Sequence, residues 1–368
     1  MKPWWQPHIG DLEEKFVLDV LRSHYINEGH LCTEFEQKLS KILNVPYVVA
    51  TTSGTASLFL SLAALGVGPG DEVIVPDFTF IATANAARLT GAKVVLVDVD
   101  PETLTMDPEA FKAAITKNTK AVMPVHVSGR AAQMKEILSI AKEKNIFVVE
   151  DAAEALLSKY QGASLGSLGD LGILSFSANK MITMGQGGAV LTSDRKLYEK
   201  VRMLKDHGRP VRGTGGNDIH FITGYNFKLT NLQAAVGLAQ LEYLPGRAKR
   251  ASEIQKFYQE EFKSLEGLKI LPFEKEDQPL WTDALSDQRD GICLALEKTG
   301  YECRKFWYPL HTQAPYQTNE SLLQTATHLG PKAFWLPSHF LLTDSDLEKI
   351  SESVKTFFKH RDRKGKVE

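Results

Sequence analysis

The sequence predicts an α/β protein in which a mixed, mostly parallel sheet lies between layers of helices, followed by a smaller α+β domain. In the first half of the chain, short apolar runs alternate with amphipathic stretches at helical spacing, which is the pattern of strands joined by crossover helices. After Thr192 this alternation stops, and a loop rich in glycine and charge follows over Asp206–Thr223. We therefore expect a large domain over residues 1–245 and a small C-terminal domain over residues 246–368.

In the large domain, each predicted element rests on the spacing of apolar residues. Leu12, Phe16 and Val20 lie on one face of a helix over Asp11–Ser23, which we expect to contribute to a dimer contact or to the small domain. The other helices are expected over Glu34–Leu43, Thr55–Leu65, Ile81–Leu89, Pro108–Ile115, Met134–Lys142, Leu197–Leu204 and Asn231–Leu244. Strands buried on both faces are expected over Tyr47–Ala50, Glu72–Val75, Lys93–Val97, Ala121–Val125, Ile146–Val149, Gly172–Phe176 and Ala189–Thr192.

The small domain is expected to begin with a long helix over Ala248–Phe262, because Pro245 should end the helix before it. Thr343 and Asp346 have the spacing of a capping box at the start of a last helix, Asp344–Phe358. The charged tail after that helix is expected to be disordered. Between them we expect ordered segments at Leu268–Leu271, Trp281–Leu285, Arg289–Lys298 (a helix) and Cys303–Trp307.

Composition argues against several classes of protein. The chain has 43 basic and 45 acidic residues and a net charge of −2, which disfavours a general nucleic-acid binder or an electrostatic membrane anchor. No apolar run approaches the ~20 residues that cross a bilayer, and the first residues lack the apolar core of a signal peptide. Cys32, Cys293 and Cys303 are widely spaced, so we expect neither a metal site nor a disulfide framework. These features favour a cytoplasmic protein.

A candidate anion site lies where the first strand meets the next helix, at Thr52-Ser53-Gly54-Thr55. A helix N-terminus presents free backbone N–H groups and the positive end of a dipole, so this turn is suited to a phosphate group. Gly54 lets the backbone approach an anion closely, and Thr55 adds a hydroxyl. Simple capping of the helix by Ser53 is the competing interpretation.

Two charged residues follow buried strands. Asp151 comes just after Ile146–Val149, and Lys180 comes shortly after Gly172–Phe176. Ligands bind at the carboxyl ends of parallel strands, so we expect both side chains at one edge of the sheet. The pair suits a pyridoxal phosphate (PLP) enzyme, in which a lysine forms a Schiff base and an aspartate keeps the pyridine nitrogen protonated. Taken singly, Asp151 is more typical of a helix cap and Lys180 of a solvated surface residue.

Longer stretches resemble the DegT/StrS-type sugar aminotransferases, which are PLP enzymes of fold type I. The similar stretches are SFSANKMITMGQGGAVLT, TSGTASLFLSLAALGVGPGDEVIVPDFTFIATANAA, MPVHVSGRAAQM, VVEDAAEA, KDHG, GYNFKLTNLQAAVGLAQLE, WYPLH and LPSHFLLT, and they span nearly the whole chain in the family's order. The asparagine before Lys180 and the ITMGQGG run are most similar to nucleotide-sugar 4-aminotransferases of the perosamine synthase type. The resemblance implies the fold type I architecture for the two predicted domains.

The resemblance also implies roles for individual residues. Lys180 matches the Schiff-base lysine, and Asp151 matches the partner of the pyridine nitrogen. The remaining matches are phosphate contacts at Gly54, Thr55 and Ser175, ring stacking at Phe80, a place near the ring hydroxyl at Glu154, a contact to the neighbouring subunit's cofactor phosphate at Asn226, and the substrate side at His207 and Lys228. The contact of Asn226 implies an obligate homodimer with active sites at the interface.

Structural roles are the alternatives for several of these residues. Phe80 could be a core residue, Asn226 could cap the helix that begins near Asn231, and His207 could end the preceding helix. We interpret His126 as a structural histidine at a strand end.

The chain departs from the family at a few positions. Gln186 stands where the family usually has glutamate, Lys228 stands where arginine is frequent, and Arg130 lies at a variable position. The stretch Trp281–Asp290 is short compared with relatives. These positions surround the substrate rather than the cofactor, so they leave the identity of the substrate open.

We therefore expect a PLP-dependent aminotransferase that moves an amino group from an amino acid, expected to be glutamate, to a keto sugar. The sugar is expected to be nucleotide-linked, with a 3-keto or 4-keto group, and to serve surface-polysaccharide or natural-product biosynthesis. The family's dehydratase branch has histidine at the position of Lys180, so the lysine favours amino transfer. A cyclitol aminotransferase and a PLP-binding regulatory protein without turnover remain alternatives.

Overall fold

The computed structural model describes residues 1–210, 218–318 and 320–364. Its principal strands are β1 Tyr47–Thr51, β2 Glu72–Pro76, β3 Lys93–Val97, β4 Thr119–Val122, β5 Phe147–Asp151, β6 Lys159–Tyr160, β7 Ala163–Ser164, β8 Leu171–Ser175 and β9 Gly188–Thr192. Within the described residues, seven of these form one sheet in the order β1-β9-β8-β5-β4-β2-β3, and β6 pairs with β7 separately. Strand β9 runs against both of its neighbours, and the other strands of the sheet run in one direction. This confirms the predicted mixed, mostly parallel sheet.

Helices cover both faces of this sheet. Alternate residues of a strand point to opposite faces, and here they enter different apolar clusters: Val49 and Val73 pack in one, while Val48 and Ile74 pack in others. The helices are α1 Asp11–Ser23, α2 His30–Leu43, α3 Gly54–Ala64, α4 Ala82–Leu89, α5 Pro108–Ala113, α6 Met134–Lys144, α7 Arg195–Lys205, α8 Asn231–Phe262, α9 Arg289–Lys298, α10 Gln324–Leu329 and α11 Asp344–Lys364.

Helix α3 is a core helix that begins directly behind the first strand. The hydroxyl of Ser53 caps it by accepting a hydrogen bond from the N–H of Ala56 at 3.1 Å. Its polar residues are compatible with burial because Ser57 and Ser61 donate their hydroxyls to carbonyl oxygens one turn earlier, at 3.2 and 2.8 Å. Buried on nearly every side, α3 fixes the turn at its start against the sheet.

The turns that carry the candidate residues leave the sheet at one edge. Strands β1, β5 and β8 all end there, at Thr51, Asp151 and Ser175. Strand β9 begins at the same edge, where Gly188 pairs with both Thr51 and Ser175. The predicted meeting of strand ends is therefore confirmed, since parallel strands place their carboxyl ends together.

A second sheet lies in the C-terminal part of the chain. Its strands are β10 Lys269–Ile270, β11 Thr282–Leu285, β12 Arg304–Lys305 and β13 Ala333–Leu336. They pair antiparallel in the order β10-β11-β13-β12, and α9, α11 and the second half of α8 pack against them through one apolar cluster. This matches the predicted α+β character of the region. The boundary at residues 245 and 246 stays a prediction.

The expected break at Pro245 is wrong. Helix α8 continues through Pro245 for 32 residues in all. Proline usually ends a helix because it lacks an N–H group. Here Leu241 and Leu244 before it, and Arg247 and Ala251 after it, are buried, so packing on both sides of the proline opposes the break.

Two further expectations at the C-terminal end need correction. Cys293 and Cys303 form a disulfide between α9 and the residue before β12, although a spacing of ten residues gave no sign of contact. Helix α11 extends to Lys364, beyond the predicted end at Phe358 and into the tail that we expected to be disordered. Residues 365–368 of that tail lie outside the described part of the chain. None of the described helices is both long and apolar enough to cross a membrane.

The N-terminal segment is tied to the C-terminal part by a buried carboxylate. Asp346 accepts hydrogen bonds from Lys2 Nζ at 2.6 and 2.7 Å, from the Thr343 hydroxyl at 2.7 Å and from the Tyr301 hydroxyl at 2.8 Å. Burial by itself would raise the pKa of the Asp346 carboxyl, but the hydrogen bonds from Lys2, Thr343 and Tyr301 outweigh burial. They hold the pKa well below its usual range.

We expect Asp346→Asn to lower the free energy of unfolding by about 1 to 2 kcal/mol at pH 7, because it removes charge-assisted hydrogen bonds. A carboxyl whose pKa is depressed on folding stabilises the protein above its unfolded pKa of about 3.9 and loses that effect as the pH falls towards the folded value. The difference between variant and wild type should therefore shrink below about pH 4.

Denaturant unfolding at pH 7 and at pH 3.5 measures this difference. Asp344→Asn is the matched control, since Asp344 lies on the same helix but its side chain is 85% exposed, and its loss should cost less than about 0.5 kcal/mol. A loss that is equal at both pH values would contradict the assignment of the effect to the Asp346 carboxylate.

Candidate active site

The start of α3 forms a narrow cup with β8 and β9. A Cβ atom on Gly54 would lie 2.9 Å from Cβ of Ser175, and one on Gly188 would lie 2.5 Å from the carbonyl carbon of Ser53. Glycine is therefore required at both positions for this close approach. Ser53 does cap the helix, as the competing interpretation held, yet Gly54, Thr55 and Ser175 also line the cavity above it.

Asp151 ends β5 beneath that cavity. Its Oδ2 accepts a hydrogen bond from the Thr83 hydroxyl at 2.8 Å, and its Oδ1 accepts one from the N–H of Ala153 at 3.2 Å. Burial raises the pKa of the Asp151 carboxyl, while the hydrogen bonds from Thr83 and Ala153 and the charge of Lys180 oppose that rise. A protonated ring nitrogen brought next to Asp151 would favour the ionised carboxylate for the same reason.

Lys180 lines the same cavity. Its Nζ donates a hydrogen bond to Oε1 of Glu154 at 3.0 Å and lies 4.9 Å from the ring centroid of Trp281. Burial raises the pKa of Glu154, opposed first by the charge of Lys180 and then by a backbone hydrogen bond from Ser128. The side chain of Lys180 is 12% exposed, so this residue is not the solvated surface lysine of the alternative interpretation.

The cavity that joins these groups has a volume of about 230 Å³. Seven of the ten predicted site residues line it, namely Gly54, Thr55, Phe80, Asp151, Glu154, Ser175 and Lys180. The side chain of Phe80 is 52% exposed rather than buried in the core, which removes the alternative of a core residue.

The other three predicted residues lie elsewhere on the same chain. Lys228 donates to Oδ1 of Asp206 at 2.8 Å, and Asn226 forms a backbone bridge with Asp206. His207 follows α7 in a left-handed conformation, with φ of 56°, as expected of a residue that ends a helix. Thr230, not Asn226, caps α8. The described chain thus does not bring these three residues into its own cavity.

His126 is a structural residue, as interpreted from the sequence. It is fully buried, its Nδ1 accepts a hydrogen bond from the N–H of Ala132 at 3.1 Å, and its Nε2 lies 3.0 Å from Oε2 of Glu150. Because Nδ1 accepts, Nε2 carries the proton and donates to Glu150. That carboxylate also accepts from the N–H groups of Gly166 and Leu168.

Sequence reasoning missed a group of aromatic side chains that line the same cavity. We call its members the tryptophan wall: Trp4, Trp281, Trp307 and Trp335, all of which line the cavity. Trp4 stacks on Trp335 with ring centroids 5.5 Å apart, and Arg304 lies over the Trp4 ring at 5.0 Å. The paired tryptophans of MKPWW and the tryptophan of WYPLH were the available signals, but nothing in the sequence placed them together.

The residues present fit PLP. The cup at the start of α3 suits a phosphate, the buried Asp151 suits a cationic ring nitrogen, and the amine of Lys180 lies in the same cavity. No group of three or more His, Cys, Asp or Glu in the described residues could hold a metal ion.

Comparisons with known proteins agree with this geometry. The model of the DegT/DnrJ/EryC1/StrS aminotransferase family matches residues 7–355. A GDP-perosamine synthase of Caulobacter vibrioides is 36% identical over 358 residues, covering 94% of this chain and 95% of the relative. A GDP-perosamine synthase of Escherichia coli O157:H7 is also 36% identical, covering 97% and 98%. The solved aminotransferase of Streptoalloteichus hindustanus superposes with a TM-score of 0.92 at 30% identity, covering 98% of this chain and 100% of that one.

We expect Gly54→Ala to weaken PLP binding roughly tenfold or more, because the added methyl group meets Ser175 in the cup. Equilibrium titration of the protein with PLP measures the change. Gly68→Ala is the matched control: its Cβ would meet nothing closer than 3.9 Å, so the affinity should be unaltered. Equal affinity of Gly54→Ala and wild type would show that the phosphate binds elsewhere.

Proposed function

The chain belongs to the DegT/DnrJ/EryC1/StrS aminotransferase family, and from this premise we propose that it transfers an amino group from glutamate to the ketone of a nucleotide-linked sugar. Aminotransferases of this family depend on PLP, and the chain is accordingly a PLP-dependent aminotransferase. The observation that carries the proposal is the placement of Lys180 between Glu154 and the tryptophan wall, in the cavity that also contains Asp151.

The mechanism assigns each polar group one task. Bound PLP supplies the electron sink that makes the donor's α-carbon acidic. Nζ of Lys180 would remove the proton from that carbon as a general base and deliver it to the C4′ carbon of the cofactor. In the second half-reaction the same nitrogen would carry a proton from C4′ to the former ketone carbon of the sugar. Glu154 holds this nitrogen in place at 3.0 Å. Asp151, oriented by Thr83, stabilises positive charge on the ring nitrogen.

The tryptophan wall and Arg304 support a sugar acceptor with an anionic group. Flat indole rings offer apolar surface to one face of a sugar ring. The guanidinium of Arg304 lies 5.0 Å from Trp4 and 5.7 Å from Trp335, and no carboxylate of the described residues pairs with it. Arginine is suited to phosphate oxygens, so this side of the cavity favours a phosphate-linked sugar over an uncharged cyclitol. The names of the relatives make a GDP-linked 4-keto sugar the first choice.

We also propose a homodimer in which His207, Asn226 and Lys228 serve the neighbouring subunit's site. Two facts support it: these residues do not line their own chain's cavity, and the large side chain of Tyr308, 65% exposed, faces outward. A cytoplasmic location remains part of the proposal, although one ground for it, three unpaired cysteines, does not hold.

We expect Lys180→Ala to fold but to lose about 1,000-fold or more of its turnover, because no other amine lines the cavity among the described residues to move the proton. Product formation from glutamate and the keto sugar measures this, with circular dichroism as the check on folding. Lys249→Ala, at a side chain that is 80% exposed, should behave as wild type. Retained turnover in Lys180→Ala would disprove the role of the lysine.

A screen of acceptors tests the substrate class. The purified protein is incubated with PLP, glutamate and a panel of nucleotide-linked 3-keto and 4-keto sugars, with a keto-inositol as the uncharged comparison, and products are detected by mass. We expect amination of a nucleotide-linked sugar and none of the cyclitol. Product from the keto-inositol alone would favour the cyclitol aminotransferase.

Loss of the visible absorption on adding glutamate distinguishes an enzyme from a regulatory PLP-binding protein.

A further inference from the structure

Ser128 adopts a backbone conformation that is unfavourable for its residue type. It lies in the short turn Val127–Gly129, with φ of 55° and ψ of 18°. The left-handed region is unfavourable for a residue with a Cβ atom, and such residues persist where surrounding contacts hold them. Ser128 is fully buried. Its conformation therefore needs a source of restraint.

That restraint comes from the second sheet. The Ser128 hydroxyl donates to Oδ1 of Asp283, on β11, at 2.7 Å, and the Ser128 carbonyl accepts from the N–H of Leu280 at 2.9 Å. The indole N–H of Trp335 donates to the same hydroxyl at 3.4 Å. Three neighbours in the C-terminal part of the chain thus hold one residue of the first part in place.

Asp283 is itself fixed by Arg130. The two side chains are 1% and 3% exposed and form an ion pair through Oδ2 and Nη2. Arg130 also donates from Nε to the carbonyl of Pro272 and from Nη1 to the carbonyl of Thr103, both at 2.9 Å. Because Arg130 is held by these two carbonyls and binds Oδ2 of Asp283, the carboxylate has one preferred orientation, and its Oδ1 is a fixed acceptor for the Ser128 hydroxyl.

The left-handed turn aims the Ser128 N–H at the active site. This N–H donates to Oε2 of Glu154 at 3.0 Å, while Oε1 of Glu154 accepts from Nζ of Lys180 at 3.0 Å. A continuous chain of hydrogen bonds therefore runs from Asp283 through Ser128 and Glu154 to the lysine. Of the four residues that these hydrogen bonds connect, only Glu154 and Lys180 line the cavity.

We propose that Ser128, held by Asp283, is a positioning residue that keeps the Glu154 carboxylate ionised and aimed at the nitrogen of Lys180. The inference rests on the roles of Lys180 and Glu154 in the proposed function. Arg130 also has a role in this proposal, because it holds Asp283 in place. The way in which the second sheet packs against the first therefore influences the charge of Glu154, next to the nitrogen of Lys180.

The sign of the effect follows from the charges around Glu154. Burial disfavours its ionised form, and the nearby negative charge of Asp151 does so too, whereas Lys180 and the Ser128 N–H favour it. The ring of His126 is hydrogen-bonded to Glu150 and to the N–H of Ala132, not to Glu154. If the Ser128 N–H turns away, the ionised form of Glu154 loses one of the groups that favour it, and a positive charge on the nitrogen of Lys180 is balanced less well.

The test is a pH titration of the visible absorption of the full-length protein loaded with PLP, without substrate. Ser128→Ala and Ser128→Gly both remove the hydroxyl, and the glycine variant also makes the left-handed conformation easy to adopt. We expect the midpoint of the titration to fall by about 1 pH unit in Ser128→Ala and to fall less in Ser128→Gly, because glycine adopts the left-handed turn without the restraint. Ser158→Ala is the matched control.

Ser158 is a matched control because its hydroxyl also joins the turn to the C-terminal part of the chain. It donates to the carbonyl of Gly129 at 2.7 Å and accepts from the N–H of Gln278 at 2.9 Å. It ties the same turn to the same part of the chain without contacting Glu154. Its loss should lower stability but leave the midpoint unchanged.

An unshifted midpoint in Ser128→Ala would overturn the inference, and so would a fall in Ser128→Gly that is as large as the fall in Ser128→Ala. So would an equal shift in Ser158→Ala, or a failure of both Ser128 variants to fold while Ser158→Ala folds, since each result indicates a purely structural role. If the wild type itself shows no titrating visible absorption, the role of Lys180 in the proposed function is what has failed.

Discussion

The structure depends on burying three ionisable side chains, Asp151, Glu154 and Lys180, next to one cavity. Buried charges are costly unless each has partners. Here Thr83 and the N–H of Ala153 satisfy Asp151, and Lys180 and the Ser128 N–H satisfy Glu154. Strands β5 and β8 end at the same edge of the sheet and so bring Asp151 and Lys180 together. The hydrogen bonds to Asp151 and Glu154 offset the cost of burying these charges. The same contacts that make these charges compatible with burial also hold them in the positions that the proposed reaction needs.

Residues from both sheets line the cavity. The cup and the carboxylates come from turns of the central sheet, whereas Trp281, Arg304 and Trp335 come from the C-terminal part. The N-terminal segment completes the wall, because Lys2 pairs with Asp346 and so holds Trp4 over Trp335. Most of the residues that surround the substrate side thus lie outside the strand–turn–helix motifs that surround the cofactor.

Sequence reasoning succeeded where chemistry is encoded locally. Ser53 and Gly54 join a strand to a helix within a few residues, and Lys180 closely follows β8, so patterns of short range placed them correctly. It failed at Pro245, where burial on both sides overrides a local breaker, and at Cys293 and Cys303, whose contact depends on how β12 lies against α9. Element bounds differed by a few residues, since local patterns do not fix where a helix frays.

The sequence by itself determined the alternation of strands and helices, through the spacing of apolar residues, and the family, through the resemblance of its longer motifs. It also predicted which lysine, which aspartate and which glycine turn would line one cavity, whereas their roles stay predictions. Only the tertiary structure decided that Trp4 joins the cavity wall, that Arg130 pairs with Asp283, and that Ser128 directs its N–H at Glu154. Each of those contacts joins residues far apart in the chain, and no local pattern specifies which distant surfaces meet when the two sheets pack.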